Sequence, residues 1–160
     1  MTRFYSIDDA NDALPDVERI LLALRDQRAE LIRLRDAVIE ATSGTAGDGD
    51  RSNRAAGPVA EAETGAGTAG PVAEAGIQAD ERRRLRLRMQ GLIDQMQAGV
   101  TGLVDRDVTL REIETGLIDF PALVNGRQVW LCWRLGEDDI AWWHELGDGF
   151  GGRVALAELT

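Results

Sequence analysis

Apolar positions recur along the first quarter of the chain at helical spacing. Val17, Leu21, Leu24, Leu31, Leu34 and Val38 stand three, four or seven residues apart. This predicts a helix running to about Ala41 with one narrow apolar seam, in which Arg28 lays its aliphatic stem across the missing position. Ser6 is placed to cap the start, and Asp8 and Asp9 favour the positive end of a helix dipole. Pro15 disfavours helical dihedrals at Leu14, so the pattern predicts a short helix over about 7–13 and a longer one with Pro15 in its first turn. A second seam, Leu85, Met89, Leu92, Met96 and Leu103, predicts a helix over about 79–103. Two such helices pair as an antiparallel, coiled-coil-like hairpin.

The stretch 43–78 between them has no aromatic and almost no large apolar residue. It carries the near-tandem repeat Ala56-Gly57-Pro58-Val59-Ala60-Glu61-Ala62 and Ala69-Gly70-Pro71-Val72-Ala73-Glu74-Ala75. Such a composition builds no core, and it is expected to be a disordered linker within a single domain covering 1–160.

After residue 108 the period falls to two. Leu117–Val124 and Arg127–Leu135 flank Asn125-Gly126, a strong signal for a tight hairpin. Gly136-Glu137-Asp138-Asp139 separates the second strand from Ile140–Glu145, and Val108–Ile113 is a candidate fourth strand. The fold class is α+β: an antiparallel helical hairpin packed on a small three- to four-stranded antiparallel sheet.

A two-residue turn at Asn125-Gly126 fixes the faces. Ile118, Phe120, Val129, Leu131, Trp133 and Leu135 point to the core, while Asp119, Trp130, Cys132 and Arg134 point to the other side. The parity of the next loop then decides the chemistry. An even loop pairs Leu135 with Ile140 and Cys132 with Trp143, and sends His144 to the core. An odd loop aligns Asp119, Cys132 and His144 across three neighbouring strands. The even loop is favoured because it keeps Leu135 and Ile140 on one face. Trp133 and Trp142 are then expected inward, Trp130 and Trp143 outward.

Composition narrows the chemistry. All four tryptophans, the one cysteine and the one histidine lie between Trp130 and His144, so specific function is expected there. The net charge is −10, which disfavours nucleic acid and anionic membranes as partners. No apolar run reaches the roughly 18 residues of a membrane span, and a single cysteine fits a reducing compartment, so a cytoplasmic location is expected. All 18 basic residues are arginine, which excludes lysine Schiff bases and a Walker lysine. The basic run from Arg82 to Arg88 is expected to face Asp36 and Glu40 across the helical hairpin rather than a ligand.

Candidate catalytic residues are Cys132, His144 and Asp119, as nucleophile, base and orienting carboxylate. Cys132 and His144 are weak metal candidates, with Glu137 and Glu145 as further donors, because neither CxxC nor HExxH spacing is present. A ligand site is expected from Trp143, His144, Glu137, Arg153 and Gly149. The stretch from Gly147 to Gly152 fits GxGxxG but lacks a βαβ setting, and reads as a compact turn anchoring Phe150.

The segments Phe4-x-Ser6-x-Asp8-Asp9-Ala10-Asn11-x-x-Leu14-Pro15, Gly116-Leu117-Ile118-Asp119-Phe120-Pro121, Gly126-Arg127, Leu131-Cys132-Trp133-x-x-Gly136-Glu137-x-x-Ile140-x-x-Trp143-His144-Glu145 and Gly149-Phe150-x-Gly152-Arg153 carry a resemblance. Together they resemble the small bacterial domain-of-unknown-function family 2203. The long linker departs from that family, whose helices are joined more briefly. The resemblance implies that Asp119, Cys132, Trp143, His144 and Arg153 form one recurring unit, and it brings no activity or cofactor.

Two functions follow as expectations. One is a small accessory protein whose helical hairpin docks a protein partner or a second copy, with the Trp/His/Arg end of the sheet contacting a small ligand or a partner segment. The alternative is a thiol- or metal-dependent enzyme using Cys132 and His144.

Overall fold

The computed structural model describes residues 2–43 and 70–159. It consists of helix α1 (Ile7–Ser43), helix α2 (Pro71–Val104) and strands β1 (Thr109–Glu112), β2 (Leu117–Val124), β3 (Arg127–Arg134), β4 (Trp142–His144) and β5 (Val154–Ala155). The chain divides into two compact units, Met1–Glu30 with Leu92–Thr160, and Leu31–Gly91. The architecture is α+β, as expected, but the antiparallel sheet has five strands in the order β1-β2-β3-β4-β5.

Helix α1 opens on a capping box. Ser6 Oγ accepts the Asp9 N–H at 3.0 Å, and Asp9 Oδ2 accepts the Ser6 N–H at 3.3 Å. The Ser6 hydroxyl also donates to Asp9 Oδ2 at 2.7 Å, and this bond first, then the one from the Ser6 N–H, lowers the Asp9 pKa. The helix then runs unbroken through Pro15 rather than as two pieces. Proline inside a helix costs roughly 3 kcal/mol. Leu14, Val17, Leu21 and Leu24, on both sides of it, are all buried in one core. Each contributes about 1.5–3 kcal/mol, so packing outweighs the lost hydrogen bond.

Within the first unit α1 and α2 pack antiparallel. A Cβ on Gly99 would meet Leu24, and one on Gly102 would meet Ile20, so the small residues allow close approach. Leu103, Met96 and Val100 complete the α2 side of the core. In the second unit Leu34 is the buried residue of the α1 seam. Helix α2 begins at Pro71, so 71–78 are helical although they fall within the stretch 43–78 expected as a disordered linker. Pro71 takes the first helical position, and Gly70 O accepts the N–H groups of Ala73 and Glu74. The remainder of the expected linker, 44–69, with the first copy of the repeat, lies outside the described residues.

The β2–β3 register is the one read from Asn125-Gly126, with Asp119 opposite Cys132, Ile118 opposite Trp133 and Phe120 opposite Leu131. Both turn residues have positive φ, 51° and 77°. Ile118, Phe120, Val129, Leu131 and Trp133 form the sheet side of the core.

The next connection reverses an expectation. Strand β4 pairs Leu131 with Trp143, Cys132 with Trp142 and Trp130 with His144. The register is therefore odd, and His144 shares a face with Cys132 and Asp119. Leu135 and Ile140 lie outside the strands, so strand alternation does not constrain them. The Leu135–Ala141 connection is an anchored loop instead of a tight turn. Trp133 Nε1 donates to Glu137 O at 3.1 Å, Glu137 Oε2 accepts the Arg134 N–H at 2.9 Å, and Asn11 Oδ1 accepts the Ile140 N–H at 2.8 Å. Trp143 consequently enters the core and Trp142 turns to the opposite face, the reverse of the expected assignment. The Trp143 indole N–H is buried without an acceptor among the described residues, at a cost of order 1–3 kcal/mol.

Glycine matters most at Gly116, where φ is +64° and a Cβ would collide with the Leu135 side chain. Gly116→Ala is expected to lower the unfolding free energy by about 2 kcal/mol, from the strained φ and overpacking. Gly91→Ala, in an open helical position with nothing within 4 Å, is expected to raise it by about 0.5–1 kcal/mol. Urea denaturation midpoints of the two variants should move in opposite directions.

Candidate functional site

Three adjacent strands each contribute one polar side chain to the face away from the core: Asp119 from β2, Cys132 from β3 and His144 from the end of β4. Their relative exposures are 1%, 1% and 2%, so the group is deeply buried. One ligand-capable atom of each lies within 4.8 Å of the others. Asp119 and Cys132 are direct cross-strand partners, and His144 sits diagonally, opposite Trp130.

The histidine is held at both nitrogens. Nδ1 lies 2.8 Å from the main-chain oxygen of Glu145, and Nε2 lies 3.2 Å from Asp119 Oδ1. The Glu145 carbonyl can only accept, so Nδ1 carries a proton. The 3.2 Å contact at Nε2 then fits a protonated Nε2 in an imidazolium–carboxylate pair, a protonated Asp119 donating to the Nε2 lone pair, or a cation shared by the lone pair and the carboxylate.

The other carboxylate oxygen, Asp119 Oδ2, accepts from Arg111 Nε at 2.6 Å. The bulge between Leu110 and Glu112 leaves Arg111 out of the β1–β2 pairing. Its guanidinium also lies over the Trp130 ring, 5.1 Å from the centroid. Arg111 was not singled out in the sequence. The one signal for it is a basic residue on the strand beside Asp119, and the bulge that aims it has no sequence mark.

Arg153 stands on the same side. It pairs with Glu137 Oε1 at 2.8 Å and lies over the rings of Trp142 (4.8 Å) and Phe150 (4.0 Å). Burial pushes the Cys132 thiol up to about 12, the Asp119 charge adds to that, and the charge and hydrogen bond of Arg153 oppose it. An unaided thiol of this kind is protonated at neutral pH and is a poor nucleophile.

A cavity of ≈ 160 Å³ opens onto the group. Arg111, Leu117, Asp119, Cys132, His144, Leu146, Asp148, Gly149 and Phe150 line it. Of the residues expected to contact a ligand, His144 and Gly149 line this cavity, Trp143 lies in the core, and Glu137 pairs with Arg153. The Glu145 carboxylate is paired with Arg127 at 3.0 Å, so Glu145 serves the site through its main-chain carbonyl. Among the described residues, the donors that cluster are Asp119, Cys132 and His144, without Glu137 or Glu145.

The fold and this group define the class: an α+β protein with a buried carboxylate–thiol–imidazole cluster at the mouth of a small cavity. The family model described as "Uncharacterized conserved protein (DUF2203)" matches residues 3–156, and the chain belongs to that family. No curated protein and no solved structure matches the chain. No helix among the described residues is long and apolar enough to cross a membrane.

The raised thiol pKa gives a pH test. Metal-free native protein should alkylate slowly with iodoacetamide at pH 7–9, its rate climbing with the thiolate fraction towards pH about 12. The denatured chain should show an ordinary thiol midpoint near roughly 8.5. Because the folded state holds its proton more tightly, this stabilisation is complete below the ordinary value of 9.0 and is lost as pH rises towards about 12. A native labelling plateau near pH 8 would contradict the buried, protonated thiol.

Proposed function

We propose that this protein binds a divalent transition metal of the zinc class through Asp119 Oδ1, Cys132 Sγ and His144 Nε2. The observation that carries the reading is the convergence of these three donors within 4.8 Å from three neighbouring strands. In a tetrahedral site with metal–N/O near 2.1 Å and metal–S near 2.3 Å, donors stand about 3.4–3.6 Å apart. The 3.2 Å separation of Nε2 and Oδ1 is already close to that.

The surroundings suit a metal. His144 donates Nδ1–H to a main-chain carbonyl, which turns the Nε2 lone pair towards the cluster, the usual outer-shell arrangement of metal-bound histidine. Arg111 holds Oδ2 and leaves Oδ1 as a single donor. A bound cation removes the proton that burial otherwise keeps on Cys132. One sulfur, one nitrogen and one oxygen donor favour zinc, cobalt or copper over magnesium or calcium.

This reading is the metal-dependent form of the alternative drawn from the sequence. The accessory role of the helical hairpin is separate. It rests on the exposed Ile39, Val72, Ile77 and Leu87 of the Leu31–Gly91 unit and does not depend on the site.

Metal analysis and Co²⁺ titration of the full chain test the proposal. One ion per chain is expected, with a thiolate-to-cobalt charge-transfer band that Cys132→Ser abolishes. His144→Ala should weaken uptake at least tenfold, and Zn²⁺ at about a hundred times its Kd should add about 2.7 kcal/mol of stability. Absence of stoichiometric uptake, or uptake indifferent to both substitutions, would leave the hydrogen-bonded His144–Asp119 pair as the correct description.

A further inference from the structure

Resting on the metal reading, we propose that the fourth coordination position is open to the cavity and takes a short-chain monocarboxylate. Three observations lead there. First, the donor group among the described residues supplies three ligands, one fewer than a closed tetrahedral site needs. Second, all three line a cavity of ≈ 160 Å³, whose rim residues Leu146 and Phe150 are 52% and 37% exposed, so the position is reachable from solvent. Third, the charges balance in favour of one further negative charge.

The charge count runs from the ligands outward. A divalent ion with a carboxylate, a thiolate and a neutral imidazole is formally neutral. The Arg111 guanidinium, 2.6 Å from Asp119 and with a side chain 41% exposed, then leaves the centre cationic. Arg153 adds no net charge because Glu137 neutralises it at 2.8 Å. The Asp148 carboxylate at the cavity wall is offset by the Arg134 guanidinium, 5.3 Å from the Phe150 ring centroid, which keeps the surplus at one positive charge, and its proximity opposes a dianion such as phosphate.

The walls set the rest of the ligand. Leu117, Leu146 and Phe150 present an apolar lining next to the charged end. Cavities of about 150 Å³ hold one benzene molecule, so the space suits a carboxylate head with a tail of a few carbons. Metal and Arg111 take the head, and the apolar wall takes the tail.

The test uses the full chain loaded with Co²⁺, whose visible spectrum reports its fourth ligand. Titration with butyrate should change the bands saturably, and butyrate should bind about tenfold tighter than acetate, since two more methylenes are buried. Phosphate should bind more weakly than either. Phe150→Ala should bring butyrate close to acetate, and Arg111→Gln should weaken both at least fivefold. A cobalt spectrum that butyrate leaves unchanged overturns an open fourth position while leaving the metal site standing. Equal affinities for acetate and butyrate overturn the apolar tail site. Failure of cobalt to give a thiolate band overturns the metal reading and this proposal with it.

Discussion

The tight turn at Asn125-Gly126 sets the register on which everything else in the sheet depends. Two consecutive residues with positive φ join β2 to β3 without a spare residue, so Asp119 must stand opposite Cys132. A slip of one position would carry Ile118, Phe120, Leu131 and Trp133 out of the core and put a carboxylate and a thiol into it. The hydrophobic cost of that exchange locks the register. The polar pair on the far face is thus held by forces that act on the other face of the same strands.

Burying those polar groups is costly, and side-chain partners offset the cost. An ionised carboxylate 1% exposed needs compensating charge and hydrogen bonds. Asp119 has Arg111 on one oxygen and His144 on the other. Removing either partner would strand a charge, which is why the group behaves as a unit. The Arg153–Glu137 pair and the aromatic rings of Trp142 and Phe150 form a second layer beside it. The glycine-rich stretch contributes as a short 3-10 turn, Phe150–Gly152, that places Phe150 at the cavity wall. It does so as the compact turn read from its sequence, without a nucleotide-binding helix.

What could be read from the sequence was whatever local chemistry determines. The Ser6–Asp9 capping box, the seam through Val17, Leu21 and Leu24, and the β2–β3 register each depend on residues close in sequence, and each stands as read. The misreadings have a common cause. Pro15, itself exposed, stays helical because Leu14, Val17 and Leu21 on either side of it pack into a core built from distant segments. The β3–β4 parity is set by a loop tied to Asn11 and folded back through Glu137, contacts with no periodic signature. Arg111 reaches Asp119 through a bulge, and β5 is only Val154–Ala155, too short to show alternation. The candidate residues themselves, Asp119, Cys132 and His144, were all visible. Whether they met was decided by that one loop.

That loop also changes how the cysteine should be understood. On a face with Asp119 and without a cation, Cys132 keeps its proton, and the cluster is a poor nucleophilic site. The same features that disable the free thiol favour coordination. The carboxylate that discourages thiolate formation would be a second anionic donor, hard beside the soft thiolate, for a metal, and the carbonyl that fixes His144 Nδ1 turns Nε2 towards the same point. A nucleophilic dyad would need the histidine to accept the thiol proton, yet Nε2 is already committed to Asp119. The geometry therefore weighs against thiol catalysis, and on the metal reading proposed above the same contacts would orient a carboxylate, a thiol and an imidazole towards one cation.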